Sequence, residues 1–92
     1  MAVYVVERRL PGIDRQGLAA AQRAAIDVSE RYTQAGRPLR YIRSVFIPGE
    51  ERSLCLFEAG DSETVAAGNR DAGLPVDRVF EAYDLPAPAS NP

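Results

Sequence analysis

Three carboxylates and one arginine are the residues best suited to chemistry in this chain. Glu7, Arg43, Glu58 and Glu81 each lie in a stretch rich in β-branched and aromatic residues. Strand alternation assigns all four to one sheet face. Carboxylates that share an enclosed space with a single arginine cannot all ionise cheaply, which is how a proton-transfer residue or a metal site is made. In such a space Glu7, Glu58 or Glu81 is a candidate general base. Arg43, permanently charged, would stabilise developing negative charge or pair with an anionic or carbonyl group of a ligand. Tyr41 and Tyr83 fall at the same parity and would supply aromatic walls.

Composition removes many other chemistries. All 11 basic residues are arginine, and Lys, His and Trp are absent. A Schiff-base or P-loop lysine, a histidine base and an imidazole metal ligand are therefore excluded. Cys55 is the single cysteine, which rules out an internal disulfide and a multi-cysteine zinc site. Its parity is that of the opposite, apolar face, where it reads as a small buried hydrophobe. No cofactor or metal is expected. Thirteen acidic residues against 11 basic ones leave a charge of −2, too balanced for an electrostatic nucleic-acid binder. No apolar stretch approaches the ~20 residues of a spanning helix. The short apolar opening, Ala2 to Val6, is followed by Glu7, Arg8 and Arg9, the reverse of a secretory signal. A cytoplasmic protein without membrane or nucleic-acid partners is expected.

The elements that must position these residues can be read from punctuation and periodicity. Val3 to Leu10 is β-rich and stops at Pro11-Gly12. Asp14 can cap a helix whose apolar positions, Leu18, Ala21, Ala25, Val28 and Tyr32, are spaced by three and four, with Gly36 as its exit. Leu39 to Ile47 and Arg52 to Ala59 read as strands joined by the turn-forming Pro48-Gly49-Glu50-Glu51. A second helix runs from Asp61 or Ser62 to Gly73, with Gly68 costing it ~1 kcal/mol relative to alanine. Val79 to Tyr83 is the last strand. With 92 residues there is room for one domain, residues 1–84, followed by a Pro/Ala-rich tail at 85–92.

This order predicts an α+β, ferredoxin-like βαββαβ fold: a four-stranded antiparallel sheet, spatial order fourth, first, third, second, with both helices on one face. Parity places Tyr4, Val6, Ile42, Ser44, Phe46, Cys55, Phe57, Ala59, Phe80 and Ala82 beneath the helices. The other face receives Val3, Val5, Val45, Ile47, Leu54, Leu56 and Val79 beside the polar cluster. In the expected strand order Glu81, Glu7, Glu58 and Arg43 could form a row. A face half apolar is too greasy for open water, and a second copy of the chain is the economical cover, making a dimeric α+β barrel. Glu50-Glu51 reads as a solvated hairpin tip, and Arg8-Arg9 as charges that guard a strand edge.

Four segments carry a family resemblance: Tyr4-Val5-Val6-Glu7-Arg8, Tyr41-Ile42-Arg43-Ser44, Cys55-Leu56-Phe57-Glu58-Ala59, and Ala72-Gly73-Leu74-Pro75-Val76-Asp77-Arg78-Val79. Together they resemble a small bacterial domain-of-unknown-function family whose best-described member binds nickel. The resemblance implies a ferredoxin-like fold and dimeric barrels. It also implies a histidine before the serine of the second strand, where this chain has Arg43, and another near Gly68 or Asn69. Nickel prefers imidazole and thiolate to carboxylate alone, so nickel binding does not carry over to this sequence. Three readings follow. The chain is a homodimer that binds a small, anionic molecule in the sheet-face cleft, a cofactor-free isomerase, cyclase or monooxygenase with a Glu base, or a structural or regulatory dimer without ligand.

Overall fold

Two aspartates start the two helices in the same way. In the computed structural model, which describes residues 1–88, the Asp14 carboxylate accepts from the Gly17 backbone N–H, and α1 runs over Arg15–Gln34. Asp61 accepts from the Thr64 N–H at the head of α2, Ser62–Asp71. Both satisfy an otherwise orphaned helix donor. Gly36, with φ +88°, closes the exit of α1 in the left-handed conformation that side chains disfavour. The strands are β1 (Ala2–Arg9), β2 (Leu39–Ile47), β3 (Arg52–Ala59) and β4 (Arg78–Ala82). They form one antiparallel sheet in the order β2-β3-β1-β4, the predicted ferredoxin-like arrangement. β4 ends at Ala82, one residue short of the expected Tyr83; residues 83–88 lie outside any regular element, and 89–92 of the predicted tail at 85–92 fall outside the described residues. No helix among the described residues is long and apolar enough to cross a membrane.

The core forms between the helices and one sheet face. Tyr4, Val6, Phe57, Cys55 and Ala59 meet Ala25 of α1, Val65 of α2 and Leu39 of β2. At Gly68 α2 packs tightly against its neighbours: a Cβ there would lie 2.7 Å from Leu39 Cδ2 and 3.6 Å from the Tyr32 ring. The glycine therefore admits close packing, a role that its helix propensity hides. Tyr32 links the helices by donating its hydroxyl proton to Asp71. That hydrogen bond, aided by desolvation, pushes the phenol above its ordinary value.

Two face assignments are corrected by the strand register. Paired residues share a face. Val79 pairs with Val6 and Glu81 with Tyr4, while Phe80 pairs with Val5 and Ala82 with Val3. The parity of β4 is thus the reverse of the expected one, and Phe80 leaves the core for the open face. Nothing in a five-residue strand that is apolar at both parities marks its register, and a one-residue slip exchanges every side chain. In β2, Tyr41 pairs with Phe57 and Arg43 with Leu56, so an irregularity at Ile42 takes up one extra residue. Leu39 and Tyr41 consequently face the helices, and Arg40 faces outward.

The hairpin and the first strand end also differ from expectation. After the short 3-10 turn Pro48–Glu50, Glu51 takes φ +50°. Its backbone carbonyl accepts from Leu10 N–H at 2.7 Å and its carboxylate from Gly12 N–H at 2.6 Å, so it braces the loop between β1 and α1. Arg8 guards no edge: it is 1% exposed, beneath the helices.

Candidate functional site

The register lays out the open face as rows across the sheet. One row reads Arg40, Glu58, Val3, Ala82; the next reads Arg43, Leu56, Val5, Phe80; the third reads Val45, Leu54, Glu7, Arg78. A partial fourth holds Ile47, Arg52 and Arg9. Of the six residues predicted for a site, Arg43, Glu7 and Glu58 share this face. Tyr41 and Glu81 are on the other. Tyr41 packs edge-on against Phe57 at 5.6 Å between ring centroids, and its hydroxyl meets Gln22 and Ser44. Tyr83 lies past the end of β4, exposed. The expected row of Glu81, Glu7, Glu58 and Arg43 does not form, because each carboxylate on the face occupies a different row.

Each carboxylate has its own arginine. Glu58 accepts from Arg40 Nε at 3.1 Å. Glu7 is bonded to Arg52 and lies 3.8 Å from Arg78. Arg52 also reaches Glu50 at 2.8 Å. The Glu7 hydrogen bond and then the charge of Glu50 push its guanidinium above the ordinary value. Arg78 in addition covers the Phe80 ring, 5.0 Å from its centroid, a cation–π contact. Apolar side chains fill the gaps, with Val45 50% and Phe80 37% exposed.

Arg43 is paired from an unexpected direction. Its Nη2 donates to Asp84. Arg43 belongs to β2 and Asp84 follows β4, the two outer strands of the sheet. Three strand spacings separate them, about 14 Å. The pair therefore spans the open face, drawing the segment after β4 toward the far edge. The Asp84 side chain is only 18% exposed. Sequence reasoning missed Asp84 because it follows the last strand, where parity has no meaning. It also missed Arg52, which the spacing 52, 54, 56, 58 along β3 would have found. Arg40 was concealed by the irregularity in β2.

Five arginines on or at the rim of this face, Arg9, Arg40, Arg43, Arg52 and Arg78, are matched by five carboxylates, Glu7, Glu50, Glu58, Asp77 and Asp84, the fourth accepting from the Arg9 backbone N–H. Among the described residues there is no group of three His, Cys, Asp or Glu side chains that could hold a metal ion. Concavities flank the face. A groove of about 650 Å³ between α1 and the β2 edge reaches Arg40 and Glu58, and one of about 470 Å³ lies at Val3, Ala82 and Asp84.

Comparison with known proteins adds a family and a fold. The family described as nickel responsive protein, SCO4226-like, matches residues 4–82. The crystal structure of SCO4226 from Streptomyces coelicolor A3(2) superposes with a TM-score of 0.77 at 23% sequence identity, covering 94% of this chain and 100% of that one. No curated protein matches the chain. The donors that nickel favours are not assembled here. Histidine is absent, the carboxylates are divided among separate arginines, and Cys55 is buried on the helix side. These residues do not fit a nickel ion.

Proposed function

The chain belongs to the SCO4226-like, nickel responsive protein family, and from that premise we propose that it binds a small anionic molecule between the open sheet faces of a homodimer. Arg43 is the principal contact, with Glu7 and Glu58 holding the neighbouring arginines in place. The observation that carries this reading is the Arg43–Asp84 pair, in which a carboxylate of the chain's own takes the place that an anionic ligand group would occupy. Exposed Val45 and Phe80 suit a face covered by a second copy. On the open face Glu7 and Glu58 are both committed to arginines, which favours binding over a proton transfer by either of them, since a general base needs an uncommitted carboxyl.

Native mass spectrometry on untagged protein tests it, with succinate and with nickel chloride as added probes. The expected result is a dimer that retains succinate. Arg43→Ala should keep the dimer and lose the succinate, and Asp84→Asn should bind it more tightly because the internal competitor is removed. A monomer, or a nickel adduct in place of a carboxylate adduct, would overturn the proposal.

A further inference from the structure

The neighbouring arginines Arg8 and Arg9 have opposite surroundings. Arg9 is exposed, whereas Arg8 is the largest fully buried side chain of the molecule. Its Nη1 donates to the Pro75 carbonyl and its Nη2 to Asn69 Oδ1, both at 2.9 Å. Both acceptors are neutral. Among the described residues no carboxylate forms an ion pair with Arg8. The nearby acids are committed elsewhere, Asp71 to the Tyr32 hydroxyl and Asp77 to the Arg9 backbone N–H. The carboxyl end of α2, close to Asn69, offers about half a negative charge. A buried full charge is left incompletely compensated, an arrangement that costs free energy unless an anion completes it.

Beside Arg8, a pocket of about 270 Å³ opens between α1 and the sheet. Its sheet wall is polar: Ser44 Oγ donates to Cys55 Sγ at 3.0 Å, and Ser53 Oγ lies 3.2 Å from the same sulfur. Its helix wall combines Leu18, Ala21 and Ala25 with the polar Gln22, and Phe46 adds apolar surface from the sheet. At about 30 Å³ per water molecule, the volume equals that of roughly nine waters, enough for a small organic molecule. The two contacts above engage both terminal nitrogens of the guanidinium, each of which carries a second N–H.

We propose that this pocket is a second binding site, distinct from the open face, for a small organic carboxylate with a compact apolar body. The carboxylate takes the Arg8 and Ser53 side, and the apolar body lies along Ala21, Ala25 and Leu18. Cation compensation supplies the preference for an anion. The alanine wall sets the size limit.

Benzoate is a probe of the right size and charge, and benzamide is its neutral counterpart. Thermal unfolding of the full chain should shift upward with benzoate, in a concentration-dependent way, and remain unchanged with benzamide. Ala21→Leu fills the pocket and should abolish the shift. Arg8→Gln should weaken benzoate about tenfold or more. If Arg8→Gln does not fold, Ala21→Leu and the benzamide comparison decide alone. With the open-face contact removed by Arg43→Ala, benzoate should still raise the unfolding temperature, and adding Ala21→Leu to that variant should abolish the rise, separating this site from the open face. No shift with benzoate, an equal shift with benzamide, or an undiminished shift in Ala21→Leu would overturn the assignment.

Discussion

Phe57 and Phe80 show how differently the two faces of one sheet are used. Phe57, on β3, is fully buried and meets Tyr41 edge-on beneath the helices. Phe80, on β4, is 37% exposed on the opposite face, with the Arg78 guanidinium over its ring. Both faces carry apolar residues, so apolarity alone does not make a core. The helix face is closed by α1 and α2. The open face interleaves Val3, Val5, Leu54 and Leu56 with arginine–carboxylate pairs that water can solvate. Such a mosaic can be covered and uncovered, as a binding face requires. Phe57→Ala should therefore cost ~3–5 kcal/mol, enough to unfold so small a domain. Within one chain Phe80→Ala should cost about 1 kcal/mol or less, the worth of an exposed cation–π contact, and any further loss should depend on protein concentration because it falls on the dimer. Urea unfolding of both variants measures the contrast, and equal losses would break it.

A smaller effect sharpens the same contrast on the helix side. Gly68→Ala would add ~1 kcal/mol of helix propensity if α2 stood free. Here the new methyl would meet Leu39 Cδ2 at 2.7 Å in a packed interior, and overpacking costs ~1–3 kcal/mol. A net destabilisation of about 1 kcal/mol is expected. In a Leu39→Ala background the substitution should instead stabilise, because the obstructing atom is gone. Additive behaviour in that double-mutant cycle would mean that the approach of α2 to β2 is looser than the distance indicates.

The same particulars explain what could be read in advance. The strand order, the Asp14 cap, the start of α2 to within one residue and the close of α1 at Gly36 were legible, because local signals suffice for them: aspartates before periodic runs, glycine and proline after them. The parity of β1 and β3 was legible too, since each is eight residues long with a clear apolar face. β4 was misassigned because Val79, Phe80 and Ala82 are apolar at both parities. Tyr41 was misassigned because an extra residue in a strand leaves no mark in composition. Glu7, Arg43 and Glu58 were correctly grouped on one face. Their division among Arg52, Asp84 and Arg40 was not, since ion pairing depends on register between strands. Arg8 was placed at an edge because a charge beside a strand end is commonly solvated. Its partners, Asn69 and Pro75, lie more than sixty residues along the chain.

The smallest expected effect concerns the helix-side roof under acid. The Thr64 backbone N–H, and then its hydroxyl, hold the Asp61 carboxyl below its ordinary value, with the Arg37 charge assisting. A carboxyl whose folded value is lowered contributes its stability above the unfolded value, about 3.9, and loses it as pH falls through the folded one. Asp61→Asn keeps a capping side chain without a titrating group. Near neutral pH the variant should therefore melt slightly below the parent, and the gap should close as pH falls below the ordinary carboxylate range. Because Asp61 caps α2 and lies away from the arginine pairs of the open face, succinate binding near neutral pH should be unchanged in the variant. A gap that persists unaltered into acid would mean that the charge of Asp61 contributes nothing, leaving only its hydrogen-bond geometry to start the helix.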